Sequence, residues 1–299
     1  MNIRKILVPV TLTEASAHSS LHLLYQAAWL ARRFQAEIVL LHVVPPLSYP
    51  AGALESGHEI TAKDLHAQVI QWAQNDLDRA LPPELDGIAI TRLLLRGDPA
   101  REIVETARDR NIDLIVMSTH GHGAFYRLLL GSVTAKVLHE TECPVWTGAH
   151  LEDVSSGDLA VGEFAIRRVL CSLELEPHSR HTLAMAAQFA AAVDATLTLV
   201  HVTVSVEDYG PGGRHVNPEW KEQVVGFATK EIDKLQKDMA TNFDVIIDSG
   251  NVPEALNRAA EQTKADVMVL GHIPGRSHLG DNGNGYGLIR QARIPVLSV

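Results

Sequence analysis

The feature that most constrains this chain is an internal repeat, because a set of short apolar segments occurs twice in the same order along its 299 residues. Any two α/β domains share apolar strands, but that general likeness does not explain the matched His-Val and Pro-Val pairs found here. The repeat therefore predicts two copies of one domain in tandem. The matched segments are residues 6–8 with 169–171, 41–43 with 200–202, 96–98 with 249–251, 112–116 with 265–269, and 144–145 with 295–296.

Within each copy, short apolar runs that suit strands buried on both faces alternate with amphipathic helical patterns. The order is β-α-β-α-β-α-β-loop-α-β, which is typical of a doubly wound, Rossmann-like α/β fold. We predict in each copy a five-stranded, mostly parallel sheet with helices on both faces, over residues 1–148 and 164–299, joined by a linker at 149–163. Such sheets bind ligands at the carboxyl ends of their strands, where the strand order reverses.

Composition and charge narrow the class of partner and the compartment. The net charge of −10 argues against binding to nucleic acid or to an anionic membrane, since both favour a basic protein surface. No apolar run is long enough to span a bilayer, and no signal-peptide pattern opens the sequence. The two cysteines, Cys143 and Cys171, cannot build a disulfide framework and are expected to be packed thiols. We therefore expect a cytoplasmic protein with no nucleic-acid and no membrane partner.

The sharpest local signal is a glycine-containing loop after the fourth predicted strand. It runs from Ser118 through His120 and Gly121 to Gly131 and Ser132. Glycines let backbone amides approach phosphate oxygens, and a helix that begins beside Gly131 would direct its free N–H groups and its dipole toward an anion. The same residues could simply make turns, with Ser132 as a helix N-cap, and the local sequence does not decide between these two interpretations.

This loop resembles the nucleotide-binding signature of the universal stress protein family. The spacing Ser118-x-x-Gly121, nine further residues and then Gly131-Ser132 matches that signature, in which a glycine stands at the first position. Residues 128–133 and 143–145 are similar to the family as well. The resemblance extends over both halves, and it implies that the first half binds ATP, or AMP or ADP.

The resemblance also implies which residues surround the nucleotide, because each matches a position of the family pattern. It implies Pro9, Val10 and Thr11 on the adenosine side, Val43 beside adenine, Met117, Ser118, His120 and Gly121 around ribose and phosphates, Gly131, Ser132 and Val133 at the phosphate tail, and Gly97 at the border of the cleft.

Several residues depart from the family pattern. Thr11 stands where the family usually has an aspartate that contacts adenosine, which weakens the case for tight ATP binding. In the second half, Glu174 restores an acidic residue at that position, but Pro274 removes a backbone donor from the glycine loop. The second half keeps the spacing of nine residues between two glycines, here Gly275 and Gly285. Tyr286 follows them in place of the small hydroxyl residue of the signature. We expect the second site to be degenerate and not to bind ATP.

The leading functional hypothesis is a nucleotide-dependent regulator of a stress response, with at most slow hydrolysis and no catalytic residue. Any Mg²⁺ would come with the phosphates, because the histidines near the loop give no convincing protein ligand set. Two alternatives remain open. One is an interaction scaffold that binds no nucleotide. The other is an adenine-nucleotide hydrolase, although this sequence lacks the Ser-Gly-Gly-x-Asp loop that such enzymes have after the first strand.

The resemblance has a further consequence for assembly. In this family the final strand of the domain pairs across a dimer, so the strands at 144–146 and 295–299 are expected to let the two halves form a pseudo-dimer within one chain. We expect two such chains to form a homodimer and to act on a protein partner that the sequence does not identify. His42 and His201 end buried strands and are expected to be satisfied residues at the edge of the core.

Overall fold

The computed structural model describes residues 1–12, 17–46, 62–79, 85–119, 130–148, 164–203, 218–272 and 284–299. The predicted linker at 149–163 lies outside these residues. The first half contains β1 (Lys5–Pro9), α1 (Ala17–Phe34), β2 (Glu37–Val44), α2 (Ala62–Arg79), β3 (Ile90–Arg96), α3 (Pro99–Asp109), β4 (Leu114–Ser118), α4 (Ser132–Glu140) and β5 (Val145–Gly148). The second half contains β6 (Arg168–Ser172), α5 (Ser179–Ala192), β7 (Thr196–Thr203), α6 (Pro218–Asp238), β8 (Asp244–Ser249), α7 (Val252–Thr263), β9 (Val267–Leu270), α8 (Asn284–Gln291) and β10 (Val296–Ser298).

All ten of these strands form one sheet in the order β3-β2-β1-β4-β5-β10-β9-β6-β7-β8. Pairing is parallel within each half, as the alternating pattern predicts, and β5 pairs with β10 in antiparallel fashion, with Trp146 opposite Leu297. The expected pairing of the two final strands is therefore present inside the chain. Because the strands of the two halves run in opposite directions, their carboxyl ends point to opposite sides of the sheet, along the strand direction.

Two layers of helices cover the sheet. The core on one face is formed with α1, α2, α5 and α6, and the core on the other face with α3, α4, α7 and α8. Trp146 is fully buried at the junction, where its indole Nε1 donates to Gln26 Oε1 at 2.7 Å and its ring lies 6.2 Å from that of Phe189 in the second half. The halves thus share a continuous core through Trp146 and Phe189.

The third helix of each half begins with the same kind of cap. The Asp98 side chain accepts a hydrogen bond from Arg101 N at 2.9 Å, and the Asn251 side chain accepts one from Glu254 N at 3.2 Å. These bonds satisfy amides that a helix N-terminus leaves without a partner. Asp98 is followed by Pro99 at the first helical position, where proline lacks no needed N–H donor.

The two cysteines are inert packing residues in the described structure. Burial raises the pKa of the Cys171 thiol to about 12, and burial together with the charge of Asp113 raises the pKa of Cys143 to about 12 as well. The Cys143 thiol also donates to the carbonyl of Ile112 at 3.3 Å. Neither residue supplies a thiolate near neutral pH.

None of the helices in the described part of the chain is long and apolar enough to cross a membrane.

Candidate functional site

The candidate site of the first half lies where β1 and β4 end side by side. From β1 the chain continues to β2 and β3 on one side, whereas β4 and β5 lie on the other side, so the strand order reverses between β1 and β4. This reversal opens a crevice at the carboxyl ends of the strands, which is the usual ligand site of a doubly wound sheet. Pro9 ends β1 and Ser118 ends β4, so both predicted residues lie at this edge.

The backbone after β1 is held by β2. Val10 N donates to Leu41 O at 2.8 Å, and His42 Nδ1 lies 2.8 Å from Val10 O. Because a carbonyl oxygen only accepts, His42 Nδ1 must carry the proton in this contact. The expectation that His42 is a satisfied residue at the core edge is confirmed. Its bond fixes the chain just before Thr11, which is exposed beside the crevice.

Two hydrogen bonds close the ends of the glycine loop. Gly131 N donates to Thr119 O at 2.9 Å, and the buried Thr134 hydroxyl donates to Ser118 O at 2.8 Å. The start of α4 is therefore tied directly to the end of β4, beside the buried Met117. The predicted residues His120 and Gly121 lie outside the described residues.

Sequence reasoning missed the backbone carbonyl of Thr119 and the hydroxyl of Thr134, which make this closure. Every residue has a backbone carbonyl and threonine is common in helices, so nothing in the local pattern distinguishes these two residues. The partner of each lies more than ten residues away along the chain, which periodicity does not reveal.

The N-terminus of α4 has the features of an anion site. Gly131 is the N-cap residue, Ser132 is the exposed first residue of the helix, and Val133 is half-buried behind it. The interpretation of Ser132 as the helix cap is wrong, because Gly131 occupies the cap and carries no side chain that could satisfy the first amides. Those N–H groups and the helix dipole favour a negatively charged acceptor.

Gly97 follows β3, two strands from β1, at the carboxyl ends of the strands. Its N–H donates to Val44 O at 3.2 Å, so it continues the pairing of β2 with β3. Next to it, Asp98 Oδ1 pairs with Lys136 Nζ of α4 at 3.0 Å. The backbone N–H of Arg101 and, after it, the Lys136 ammonium lower the pKa of the Asp98 carboxyl below its ordinary value. This pair links α3 to α4.

The second half repeats the frame of this site. Leu173 N donates to Val200 O at 2.9 Å, and His201 Nδ1 lies 2.7 Å from Leu173 O. Leu173 and His201 thus correspond to Val10 and His42, and Glu174 stands at the position of Thr11. The expectation that His201 is a satisfied core-edge residue is confirmed.

In the second half, the start of α5 lies at the crevice, against the end of β9. Helix α5 has 14 residues, whereas α1 has 18. A Cβ added at Gly271 would lie 2.6 Å from Thr182 Oγ1 and 3.1 Å from His178 Cδ2.

The glycine spacing of the second half is misleading. The buried pair Leu288 and Ile289 precedes Val296 as Val137 and Leu138 precede Val145, which puts Gly285 at the position of Thr134. Helix α8 begins at Asn284, so Gly285 and Tyr286 lie inside it. The interpretation of Gly285 as the counterpart of Gly131 is therefore wrong, because equal spacing in sequence did not preserve the position of the helix start.

One group of described side chains could hold a metal ion. Glu174, Glu176 and His178 each offer a ligand atom, and these atoms lie within 4.8 Å of one another. The two carboxylates lie near different nitrogens of the ring, with Glu174 Oε2 3.5 Å from Nε2 and Glu176 Oε2 3.7 Å from Nδ1. A histidine held between two carboxylates accounts for this geometry equally well.

Comparison with known proteins identifies the family. The model of the universal stress protein family matches residues 2–147 and again residues 165–299. A universal stress protein of Methanocaldococcus jannaschii is 32% identical over 142 residues, which cover 48% of this chain and 79% of that protein. One from Mycolicibacterium smegmatis is 26% identical over 200 residues, which cover 65% of this chain and 63% of that protein.

A solved structure shares the whole arrangement. The crystal structure of a universal stress protein from Archaeoglobus fulgidus covers 98% of this chain and 95% of its own, with a TM-score of 0.59 and 19% sequence identity, a likeness that shows the fold. Together with the two matches of the family model, this establishes that the chain belongs to the universal stress protein family and carries two copies of its domain.

Proposed function

We propose that the first half of this chain binds an adenine nucleotide, ATP or else AMP or ADP, and that the bound state regulates a protein partner in a stress response. The observation that carries the proposal is the glycine-capped N-terminus of α4, tied to the end of β4 by Thr119 and Thr134. Amides fixed in this way lose little freedom when an anion binds, which favours phosphate recognition.

The residues present fit such a ligand. Backbone N–H groups at Ser132 and Val133, together with the Ser132 hydroxyl, would donate to phosphate oxygens, and Mg²⁺ would be carried by those phosphates. Pro9, Val10, Thr11 and Val43 would line the adenosine side, Met117, Ser118, His120 and Gly121 the ribose and phosphates, and Gly97 the border. Thr11 lacks the carboxylate of the usual family residue, so we expect an affinity below that of family members that have it.

We infer that the chain divides into a first half, residues 1–148, a linker over 149–163 and a second half, residues 164–299. We also infer that the second half binds no equivalent nucleotide. The His178 ring beside Gly271 and the glycine at position 285, where the first half has Thr134, support this inference. One nucleotide per chain is the expected stoichiometry.

Hydrolysis should be slow at most. Cradling phosphates without a positioned base or an arginine finger provides little rate acceleration. The absence of multiple turnover would separate this proposal from an adenine-nucleotide hydrolase. Thr11 favours a second candidate, a scaffold of the same fold that binds no nucleotide.

The test is the nucleotide content of the purified protein, together with titration of ATP by calorimetry. A Ser132→Asp variant adds a negative charge at the first residue of α4, which stabilises the helix while it repels phosphate, so lost binding cannot be ascribed to a lost helix. The matched control is Asn284→Asp, at the first residue of α8. About one nucleotide per chain, lost only in Ser132→Asp, is the expected result. If the unmodified chain binds no nucleotide, the result contradicts the proposal and favours the interaction scaffold that binds no nucleotide.

We also propose that the protein acts in the cytoplasm as a homodimer. The two free cysteines, Cys143 and Cys171, support that compartment. Because β5 and β10 already pair inside the chain, their edges are not available to a second copy, which must use another surface.

A further inference from the structure

Two helix N-termini lie near the carboxyl ends of the strands in the first half, and they differ in charge. Helices α3 and α4 pack against each other, and each begins beside the end of a strand. The N-terminus of α3 has its own anion, because Asp98 Oδ1 accepts a hydrogen bond from Arg101 N at 2.9 Å. The N-terminus of α4 begins at Gly131, which makes no side-chain cap. An anion from outside the chain is therefore attracted to α4 rather than to α3.

A lysine of α4 joins these two N-termini. The Lys136 ammonium lies 3.0 Å from the same oxygen, Asp98 Oδ1, which therefore accepts two hydrogen bonds. Asp98 directly follows Gly97 at the end of β3. The ammonium group thus lies near the carboxyl ends of the strands, although Lys136 itself stands in the middle of α4.

Lys136 also lies on the side of α4 that carries Ser132. Residues four apart are neighbours on a helix surface, and helical side chains lean toward the N-terminus. Four residues correspond to a rise of about 6 Å along the helix, a distance of the order that the four-carbon stem of lysine covers. A phosphate group held by the amides of Ser132 and Val133 is therefore within reach of the Lys136 ammonium.

The pair between Lys136 and Asp98 is one that a phosphate group can replace. The two side chains are 45% and 54% exposed, and such exposed ion pairs contribute little to stability because water screens them. The phosphates of a nucleotide carry more negative charge than one carboxylate and accept strong, charge-assisted hydrogen bonds. Loss of the pair leaves Asp98 with its bond from Arg101 N, so α3 keeps its cap.

The second half has neither member of this pair. Asn251, which is uncharged, stands at the position of Asp98. Gly287 stands at the position of Lys136, because Gly285 stands at that of Thr134. Helices α7 and α8 nevertheless pack against each other, as α3 and α4 do. The charge pair is therefore not a requirement of this helix packing, and it occurs in the half for which nucleotide binding is proposed.

We propose that Lys136 is a phosphate-binding residue of the nucleotide site, and that it exchanges Asp98 for the phosphate groups when nucleotide binds. Binding then separates the charge pair between α3 and α4 and leaves the cap of α3 in place. This inference rests on the proposed function. It adds a cation to the backbone amides and the Ser132 hydroxyl at the start of α4.

The test is calorimetric titration of the full chain with ATP at about 0.15 M salt, where distant charges are screened. Lys136→Met removes the ammonium and should weaken ATP binding about tenfold. Asp98→Asn keeps a capping side chain but releases the ammonium, and should tighten binding about twofold to threefold. A merely structural tie would move both variants in the same direction, because either substitution breaks the same pair.

The double variant K136M/D98N separates direct contact from a general effect of charge. If Lys136 contacts phosphate, most of the gain from Asp98→Asn disappears when the lysine is absent. The matched controls are Lys5→Met and Asp109→Asn, which each remove one charge from an exposed ion pair. Lys5 begins β1 and Asp109 ends α3, so both lie at the amino ends of the strands, away from the site. Each control should keep ATP affinity within about twofold.

Three results overturn the assignment of Lys136. They are unchanged ATP affinity in Lys136→Met, weaker binding in both single variants, and a gain from Asp98→Asn that persists in the double variant. Each of these leaves the proposed function standing, because the unmodified chain still binds ATP. An unmodified chain that binds no nucleotide overturns both proposals.

Discussion

The two halves of this protein share a frame but differ in what fills it. In each half a histidine of the second strand bonds the backbone after the first strand, at 2.8 Å from His42 and 2.7 Å from His201. In the first half, Thr134 then ties α4 to β4. In the second half, Gly285 takes the place of Thr134, and the ring of His178 lies against the end of β9 at Gly271.

This difference shows that the fold and the proposed site depend on different residues. The strands and their packing depend on many apolar side chains, so the duplicated frame tolerates local change. The proposed anion site depends on a few hydrogen bonds and on the residue at one helix cap. A glycine at the position of Thr134 and a histidine ring against the end of β9 distinguish the second half, while each half keeps the same order of strands.

The largest expected effect tests whether the halves fold as one unit. Trp146→Ala removes a fully buried indole from the shared core and should lower the free energy of unfolding by about 3 to 5 kcal/mol. Because the core is continuous across β5 and β10, both halves should unfold in one transition in urea. The control Trp72→Ala removes an exposed indole and should change stability by less than about 0.5 kcal/mol. Two separate transitions in the unmodified protein would show that the halves are independent.

A smaller effect should come from the tie that only the first half has. Thr134→Val keeps the shape of the side chain but leaves Ser118 O without this donor, which should cost about 1 to 3 kcal/mol of unfolding free energy. If α4 must be held against β4 for phosphate to bind, nucleotide affinity should fall about tenfold. Thr182→Val is the control, because the Thr182 hydroxyl bonds a carbonyl of its own turn, His178 O at 3.4 Å. If Thr134→Val binds nucleotide with unchanged affinity, the hydrogen bond from Thr134 to Ser118 O is not needed for nucleotide binding.

The smallest effect compares the two equivalent helix caps. Asn251→Ala should cost about 1 kcal/mol at every pH, since asparagine does not titrate. The pKa of Asp98 is lowered in the folded state, so its stabilisation is present above the ordinary value of 3.8 and is lost as the pH falls through the lower folded pKa. Asp98→Asn should therefore flatten the acid side of the stability profile, measured by urea unfolding from neutral to acid pH. An equal loss toward acid pH in Asp98→Asn and the unmodified protein would contradict this assignment.

Part of the site was predictable because it follows from the order of elements. The alternation of apolar runs and helical patterns predicted the order of the elements, and the residue types of Asp98 and Pro99 are typical of a helix start. That Pro9 and Ser118 end neighbouring strands came from the structure. The start of α8 was not predictable from the spacing of Gly275 and Gly285, because helix starts depend on capping contacts that glycine spacing does not encode.

The sequence by itself determined the duplicated α/β frame, since buried strands and amphipathic helices leave periodic apolar patterns that need no knowledge of distant contacts. Only the tertiary structure decided that Thr134 reaches Ser118 and that His178 lies against Gly271. These are relations between residues far apart in the chain, and their energy arises from contact in three dimensions, which no local pattern records.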